Sequence, residues 1–454
     1  MVKKSSLIDG FVYLFIGILT CFLIFSFDYK DADALVVFFF IINGIYFFCG
    51  IVFCKKNISL KRLFYIFNYV FMFIAPLNQY CSGTVFWKSH GLRITYSNLD
   101  YLFANMLILV FCILFDLVYH RKGSVQHAHS KSTHMHETTY NGILLTDIIS
   151  LIAFAILFVS NNIFARQSFT TENANFGTQL VNILKGIPIA TFSFQIIYWK
   201  QNIRQKKILI ILPAVEILVI YFPFSDSISR FLLFGAYLTI VSIIFNNVKY
   251  KSLYPLLFVL GFGFVFSAFN FFKWHGLSEI SNFSLSVVNF NHVDYDAYQL
   301  LMATVYYARH YGVCYGINLL SAVFGFIPRS IWHGKAFPSG SIVIGALGSW
   351  FTNVSCPWIA EWYYAFGIVG VLLGAIVSGV VFRMVDSHYN DQNSALMRGA
   401  FAVLTGFSIY ILRGAILPTW NYTFAVILSF VAIDFAIKFS QTIKFRKWST
   451  TNHG

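Results

Sequence analysis

Charge is scarce in this chain. Of its 454 residues, 11% are charged and 58% are hydrophobic, whereas a soluble domain carries about 25% charged and about 45–50% apolar residues. This scarcity excludes an ordinary soluble domain. Apolar runs of roughly 18 residues or more recur along the length, which predicts membrane-spanning helices rather than a barrel. No cleavable signal peptide is evident, because the first run, Leu7 to Phe27, is long enough to span and lacks a small-residue cleavage site.

Motifs for metal or nucleotide cofactors are also lacking. The cysteines show no metal-ligand spacing and indicate no disulfide framework; they are Cys21, Cys49, Cys54, Cys81, Cys112, Cys314 and Cys356. No Walker or dinucleotide motif is present. A histidine tract, His127-x-His129 and His134-x-His136, could bind metal, but its polar, Ser/Thr-rich surroundings favour a solvated loop. We therefore expect no cofactor and no metal ion.

The excess of positive charge is better explained by topology than by a nucleic-acid partner. The formal net charge is +14, and Lys and Arg accumulate in the cytoplasmic loops of membrane proteins. We therefore expect no binding of nucleic acid.

About twelve apolar runs could each cross a hydrocarbon core of ~30 Å, which predicts an all-α polytopic membrane protein. The predicted spans are 7–27, 33–54, 63–80, 99–119, 143–163, 178–199, 207–224, 228–246, 253–272, 358–382, 395–416 and 421–441. The chain then has three parts. Spans one to nine occupy 1–272, a large outer loop occupies 273–357, and spans ten to twelve with a cytoplasmic tail occupy 358–454.

The distribution of Lys and Arg predicts the orientation. With the N-terminus inside, 21 of the 32 Lys and Arg residues fall on the inner side. This asymmetry favours a multi-pass protein with both termini in the cytoplasm. Residues 273–357 then lie outside. A loop of this length is usually functional or disordered, and its content of Tyr, Trp, Phe and Gly argues against disorder. We expect it to form short amphipathic helices against the outer bilayer surface.

Five cations on the predicted outer side could together form a pyrophosphate clamp, because Arg and Lys suit phosphate oxygens. They are Arg230, Arg309, Arg329, Lys335 and Arg413. Snorkelling of these side chains at helix ends is the alternative, and it applies best to Arg230 and Arg413, which lie at span ends.

Carboxylates on the same side are candidates for general acid–base chemistry. Asp294 and Asp296 open the central part of the loop, and Glu361 lies at the outer mouth of the tenth span. An ionisable group near the membrane is a functional candidate, and a carboxylate there could activate a sugar hydroxyl. A structural ion pair is the alternative. Glu216 and Asp434, within spans, are better explained by helix packing or pairing.

Aromatic side chains cluster near the outer boundary. They are Trp332, Trp350, Trp358, Trp362, Tyr363, Tyr364 and Trp420. They could form the aromatic belt of a membrane protein or stack on sugars.

His310 and His333 in the outer loop could shuttle a proton. Small residues at Gly367, Gly370, Gly374 and Ser378 share one face of the tenth span and predict close helix packing.

The stretch from Asn291 to Gly374 resembles the O-antigen and related oligosaccharide repeat-unit polymerases, the Wzy-type membrane glycosyltransferases. The matching elements are Asp294 with Tyr298, Tyr311-Gly312, Ile327-Pro328-Arg329-Ser330-Ile331-Trp332 with Gly334-Lys335, Glu361-Trp362-Tyr363-Tyr364-Ala365-Phe366-Gly367, Ser229-Arg230, and Leu412-Arg413-Gly414. His333 stands where the family more often has proline, and Trp362 also departs from its usual pattern.

The resemblance implies a GT-C-like fold in the bacterial inner membrane and a metal-independent transfer. The growing glycan leaves undecaprenyl pyrophosphate and joins a new lipid-linked repeat unit at the outer leaflet. Membrane lipid and a chain-length-determinant protein are implied as further partners. Site roles follow from the matched positions. The predicted catalytic residues are Glu361, Asp294, Arg329 and Arg413, and the predicted substrate-binding residues are Arg230, Lys335, Trp332, His333, Tyr298, Tyr363 and Tyr364.

Two other functions remain open on the sequence. An O-antigen ligase would use similar chemistry, although the Pro-Arg-x-x-Trp pattern favours a polymerase. A transporter or flippase of lipid-linked oligosaccharide would place charged groups at the bilayer midplane, whereas the distinctive charges here lie near the outer boundary.

Overall fold

The structure of the chain is a computed structural model that describes residues 4–56, 58–121, 140–163, 176–199, 208–225, 228–245, 252–261, 265–275, 277–282, 290–389 and 394–451. Regular structure in these residues is helical, without a strand. The all-α prediction is therefore confirmed for this part of the chain. The histidine tract at 127–136 lies outside the described residues.

Helices in the first half of the chain are α1 (Lys4–Phe25), α2 (Ala34–Val52), α3 (Leu60–Tyr69), α4 (Ala75–Cys81), α5 (Asn98–His120), α6 (Tyr140–Val159), α7 (Phe176–Trp199), α8 (Ile208–Ile220) and α9 (Arg230–Phe245). Those in the second half are α10 (Leu253–Leu260), α11 (Phe266–His275), α12 (Ala297–Tyr311), α13 (Ile317–Val323), α14 (Ser339–Ala346), α15 (Trp358–His388), α16 (Ala395–Gly406), α17 (Ser408–Arg413) and α18 (Ile416–Thr451).

Eight helical segments in the described residues are long and apolar enough to cross a membrane. They are Leu7–Phe25, Ala34–Val52, Leu60–Cys81, Asn98–His120, Gly142–Val159, Gly177–Trp199, Trp358–His388 and Ile416–Thr442. Each coincides with a predicted span. The predicted spans at 207–224, 228–246 and 395–416 contain shorter apolar helices, and the one at 253–272 contains the separate helices α10 and α11.

The chain divides into two compact units built from interleaved segments. The first contains residues 1–122, 247–386 and 408–420, and the second contains 123–246, 387–407 and 421–454. The predicted outer loop thus belongs to the same unit as the first five helices. The three-part division made from the sequence stays a prediction.

Side-chain caps fix where several helices of the first unit begin. The Asp33 carboxylate accepts from the N–H groups of Leu35 and Val36 at the start of α2. At the start of α5, the side chains of Ser97 and Asp100 form a capping box. Such caps satisfy backbone donors that have no partner inside a helix. Helices α2 and α5 therefore begin at polar residues of the preceding loops.

The described part of the outer loop contains three short α-helices, α12, α13 and α14, and two 3-10 helices, Leu277–Asn282 and Val293–Tyr295. Helices α12 and α14 pack with a preceding loop, residues 86–94, around a shared apolar core. This core contains Phe86, Trp87, Leu92, Ile94, Leu300, Ala303, Val343, Ile344, Leu347 and Tyr364. Short helices in the loop were predicted, and the structure adds that a second loop packs with them. We call this layer, residues 82–97 and 290–357, the cap.

Helix α15 is bent back on itself. Phe366 and Gly367 have non-helical backbone angles, and Gly367 has a φ of +63°, which favours glycine. A Cβ at Gly374 would collide with the Trp362 ring, and the Trp358 indole N–H donates to Ser378 Oγ at 2.8 Å. In a straight helix, residues 362 and 374 would lie ~18 Å apart. Residues 358–365 therefore run back along 368–388, and the small face predicted for helix packing receives this segment.

Three helices of the second unit, α6, α7 and α8, pack against one another, and α9 packs against α16. Glycines allow the closest approach in the second pair. A Cβ at Gly406 would collide with Thr239, and a Cβ at Gly235 would collide with the Phe407 ring. Close packing through small residues is typical of membrane helices.

Candidate functional site

The Pro328–Lys335 segment forms a compact turn closed by its own backbone. The N–H groups of Ile331 and Trp332 donate to the Pro328 carbonyl at 3.1 and 3.0 Å, and Lys335 N donates to the Trp332 carbonyl at 3.1 Å. Proline favours such a turn because its φ is fixed. The turn brings Arg329 and Lys335, six positions apart, to one place.

Both cations of this turn donate to backbone carbonyls. The buried Lys335 ammonium donates to the carbonyls of Gly325 and Ile327 at 2.6 and 2.9 Å. The Arg329 guanidinium donates to the carbonyls of Lys335 and Ala336, both at 2.6 Å, and lies 3.9 Å from the Phe337 ring centroid. His333 is exposed, and its Nδ1 lies 2.9 Å from the Arg329 carbonyl oxygen.

No acid neutralises this pair of cations among the described residues, because none of the salt bridges there includes Arg329 or Lys335. Burial and the neighbouring Arg329 lower the pKa of Lys335, and burial lowers the pKa of Arg329. The turn is thus a site of concentrated positive charge. An anion would relieve the cost of holding both charges.

Arg413 contacts the start of the cap. Its guanidinium donates to the backbone carbonyls of Asp294 and Val293 at 2.8 and 3.3 Å and to Asp296 Oδ1 at 2.9 Å. The Asp296 side chain is 0% exposed, and that of Arg413 is 15% exposed. The structure therefore brings Arg413 and Asp294 together, but the carboxylate in the ion pair is that of Asp296.

The Asp294 carboxyl pairs with a histidine instead. Its Oδ2 lies 2.9 Å from Nδ1 of His292, and the Asp294 side chain is 22% exposed. A carboxylate that has taken up a proton can pass it to a neighbouring imidazole. His292 is not among the residues predicted from the sequence, although its position two residues before Asp294 is a usable signal.

Glu361 is completely buried and hydrogen-bonded. Its Oε2 accepts from Asn318 Nδ2 and Ser339 Oγ, both at 2.7 Å. Its Oε1 accepts from the backbone N–H of Ile416 at 2.8 Å. These donors come from α13, α14 and the start of α18. The Glu361 carboxyl therefore joins three helices to α15, and it is 0% exposed.

A continuous set of contacts links the cationic turn to Arg413. Ser321, on α13, accepts from the Ala336 N–H at 2.8 Å, and Asn318, one helical turn earlier, donates to Glu361. Glu361 in turn accepts from Ile416 N, three residues after Arg413. Through these contacts the first unit brings Arg329, Lys335, Glu361, Asp294 and Arg413 into one connected region.

Arg230 belongs to the second unit. It begins α9 and is buried. Its guanidinium donates to the carbonyls of Pro223 and Ser225 at 2.6 and 2.7 Å, so it closes the turn before α9.

The predicted sugar-contacting tyrosines are core residues in this structure. Tyr298 is 0% exposed; its hydroxyl donates to the Tyr101 carbonyl and accepts from Asn105 Nδ2, both at 2.9 Å. Tyr364 belongs to the apolar core of the cap, and Tyr363 is buried, with its ring edge-on to Phe103. Trp332 is half-buried. The rings of the three tyrosines therefore offer little surface to a ligand.

Large apolar side chains around the cationic turn are exposed. They are Leu320, Val323, Phe324, Phe326, Ile331 and Phe337. A soluble surface rarely exposes so many large apolar side chains close together. Because these residues surround two cations, the surface suits a ligand with an anionic head and an apolar tail. We call it the lipid-facing patch.

Comparison of the chain with family models, with curated proteins and with solved structures finds no match.

Proposed function

We propose that the chain polymerises oligosaccharide repeat units carried on undecaprenyl pyrophosphate, transferring the growing glycan onto a new lipid-linked unit at the outer leaflet. The resemblance in residues 291–374 gives the reaction class. The topology that accompanies this proposal has twelve crossings, a GT-C-like arrangement and both termini in the cytoplasm of a bacterium, with the protein in the inner membrane.

The proposal rests on the proximity of Arg329 and Lys335 inside the lipid-facing patch. Neither cation has a salt bridge within the described residues, and apolar side chains such as Ile331 and Phe326 are exposed beside them. A polyprenyl pyrophosphate offers the complementary pair, a strongly anionic head and a long apolar tail. Arginine is well suited to such a head because its N–H groups match phosphate oxygens.

The proposed transfer breaks one bond and forms one bond. A hydroxyl oxygen of the acceptor sugar attacks the anomeric carbon of the donor glycan. The bond between that carbon and the pyrophosphate oxygen breaks, and the electron pair leaves with the pyrophosphate lipid. The hydroxyl proton goes to a carboxylate. Because negative charge on the leaving group is already spread over the pyrophosphate, cations that stabilise it contribute more than a general acid.

Asp294 is the better placed of the two predicted bases. Its side chain is partly exposed and lies against His292, which can share the proton. Arg413 holds the backbone at Asp294 through a 2.8 Å hydrogen bond and therefore positions this carboxylate. Glu361, fully buried among three donors, positions the helices around the site.

Arg230 is assigned to the acceptor substrate rather than to the donor. The acceptor also carries a pyrophosphate, and the Ser229-Arg230 resemblance is the reason for assigning Arg230 to it. The described contacts of Arg230 stay within the second unit.

Reconstitution with lipid-pyrophosphate-linked repeat units tests the proposal. The wild-type protein is expected to give a ladder of polymer lengths on a gel, and Arg329→Ala and Lys335→Ala are expected to lose it. Arg309→Ala is the matched control, because Arg309 lies in the same cap but is paired with Asp100 at 3.8 Å. A normal ladder from both variants would show that the cationic turn does not bind the pyrophosphate.

The same vesicles separate the alternatives. If no polymer forms but labelled lipid-linked sugar crosses the membrane, the protein is a transporter. If glycan moves only to an added lipid A core acceptor, it is a ligase.

A further inference from the structure

Two buried carboxyl groups lie in the second unit, apart from the residues assigned to sugar transfer. Asp147 is on α6 and Glu216 is on α8, and they are 3% and 2% exposed. The helices α6, α7 and α8 pack against one another. Both acids lie in apolar helices, where an ionisable residue is expensive and usually functional.

The two acids are connected through neighbouring polar side chains. The Gln195 side-chain amide, on α7, donates to Asp147 Oδ1 at 2.6 Å. Ser150, on α6, donates to Glu216 Oε2. Since Asp147 and Ser150 are three residues apart on one helix, they share a face. The three helices thus contribute to one polar cluster.

Three oxygen atoms in this cluster have no hydrogen-bond partner within the described part of the chain. They are Asp147 Oδ2, Glu216 Oε1 and Gln195 Oε1, and all three are buried. Each is an acceptor. The cluster therefore lacks donors or positive charge rather than acceptors, and buried acceptors without a partner are costly.

None of the described contacts brings a positively charged side chain from the surrounding helices to Asp147 or Glu216. The described ionisable side chains on these helices are Lys185 and Tyr198 on α7, Arg230 and Tyr237 on α9, Arg398 on α16, and Tyr422, Asp434 and Lys438 on α18, which contacts α7 through Ser429. No salt bridge found in the described residues joins any of these groups to Asp147 or Glu216. Lys185 is ten residues from Gln195 on the same helix, or ~15 Å along its axis.

Two ionised carboxylates could not be held this way without compensation, because moving each charge out of water costs several kcal/mol in a protein interior. Protons or a bound cation must supply the missing charge. Carboxylate and amide oxygens are the hard ligands that hard cations prefer. Two protons, or one proton with one monovalent cation, would balance the pair.

We propose that Asp147, Gln195 and Glu216 form a monovalent-cation site in the second unit, occupied by a proton or by a sodium ion. In the proton form, the carboxyl groups carry the protons. In the sodium form, the three oxygens without partners are the candidate ligands. The site does not depend on the sugar-transfer proposal, since none of its residues has a role in that reaction.

Labelling with dicyclohexylcarbodiimide tests the site, because this apolar reagent modifies protonated carboxyl groups in apolar surroundings. The full-length protein in nanodiscs is treated over a range of pH in sodium chloride or choline chloride at equal ionic strength. Peptide mass spectrometry locates the adducts. We expect an adduct on Glu216 or Asp147 that decreases as the pH rises.

The salt series separates the two cations. An adduct that sodium does not reduce identifies a proton site, and an adduct that sodium reduces relative to choline identifies a sodium site in exchange with protons. No adduct on either acid at any pH in the folded protein, with normal labelling after denaturation, overturns the proposal.

A second measurement does not depend on access of the reagent. Glu216→Gln and Asp147→Asn mimic the neutral acids, so they are expected to fold with an unchanged Tm and to abolish any sodium or pH response of that Tm. Asp434→Asn is the control, since Asp434 pairs with Lys438 at 2.6 Å in the same unit. A large fall in Tm for both neutral variants in sodium-free choline chloride would show that the native pair is anionic without a bound cation, which contradicts the proposal.

Discussion

Arg413 and Asp296 form an ion pair with a 2.9 Å separation between Nη2 and Oδ1, and the Asp296 side chain is completely buried. The two residues are 117 positions apart. This pair attaches the segment 413–416, where α17 ends and α18 begins, to the start of the cap. The same segment contributes the Ile416 N–H to Glu361, so two buried acids hold it in place.

Arg413→Gln is expected to destabilise the protein by about 3–5 kcal/mol, because it leaves a buried carboxylate without its partner. Thermal unfolding in nanodiscs measures the effect. Arg309→Gln is the control. Its pair with Asp100 is half-exposed and 3.8 Å long, so its loss should cost under about 1 kcal/mol. Equal effects of the two substitutions would contradict the importance of the buried pair.

The effect of Arg413→Gln should grow with pH. Burial raises the pKa of Asp296, and Arg413 opposes this shift. An acid whose pKa is higher in the folded state loses stability as the pH rises above its unfolded value, about 3.9. Without Arg413 the pKa of Asp296 rises further, so this loss extends to higher pH.

The measurement is the difference in Tm between the wild type and Arg413→Gln from pH 4 to pH 8. We expect this difference to widen as the pH rises. In the double variant with Asp296→Asn, the pH-dependent part should disappear. Parallel curves for the wild type and the single variant would argue against titration of Asp296.

Asp294→Asn and Glu361→Gln should separate activity from stability. Asp294→Asn is expected to abolish polymer formation while leaving Tm nearly unchanged, since its carboxyl is partly exposed. Glu361→Gln replaces an acceptor by a donor that faces other donors, which costs about 1–3 kcal/mol. Its activity should fall in proportion to its folded fraction.

The two variants can be compared by ladder formation and Tm in one preparation. A stable Glu361→Gln protein with no activity would instead favour Glu361 as the base. Full activity in Asp294→Asn would remove Asp294 from that role.

The lipid-facing patch should contact the bilayer. A cysteine at Ile331 or Phe326, labelled with an environment-sensitive nitrobenzoxadiazole dye, is expected to show blue-shifted emission in nanodiscs and quenching by doxyl-labelled lipids. Asn353, an exposed polar position of the cap, is the control and should show neither effect. Quenching by aqueous iodide at positions 326 and 331, without quenching by doxyl lipids, would place this surface in water. The native cysteines are replaced first.

Much of the fold could be predicted because its main signal is local. A run of apolar residues long enough to cross a bilayer predicts a helix without knowledge of its neighbours, and eight such segments form in the part of the chain that the structure describes. The reversal of chain direction that packs residues 358–365 against the rest of α15 could not be predicted from apolar run length. A run beginning at Trp358 has the composition of one span, and only the backbone at Gly367 shows that it contains two arms.

The sequence indicated that the two cations near Pro328 lie close together, but it indicated less about their contacts. The pattern around Pro328 placed Arg329 and Lys335 together, which the structure also does. The residue types did not show that each guanidinium would bind backbone carbonyls, since an arginine fork suits a carbonyl as well as a phosphate. Asp294 and Asp296 look equivalent in the sequence, and burial distinguishes them.

Because α15 turns back at Gly367, the position of Glu361 along the membrane normal does not depend on the length of the segment that crosses the membrane. The arm that carries Glu361 is positioned by Trp358 and Trp362 against Ser378 and Gly374. Its depth is therefore set by contacts along the second arm rather than by the number of residues that enter the bilayer. A change in membrane thickness would then act on the second arm, while the donors on α13, α14 and α18 hold the Glu361 carboxyl in place.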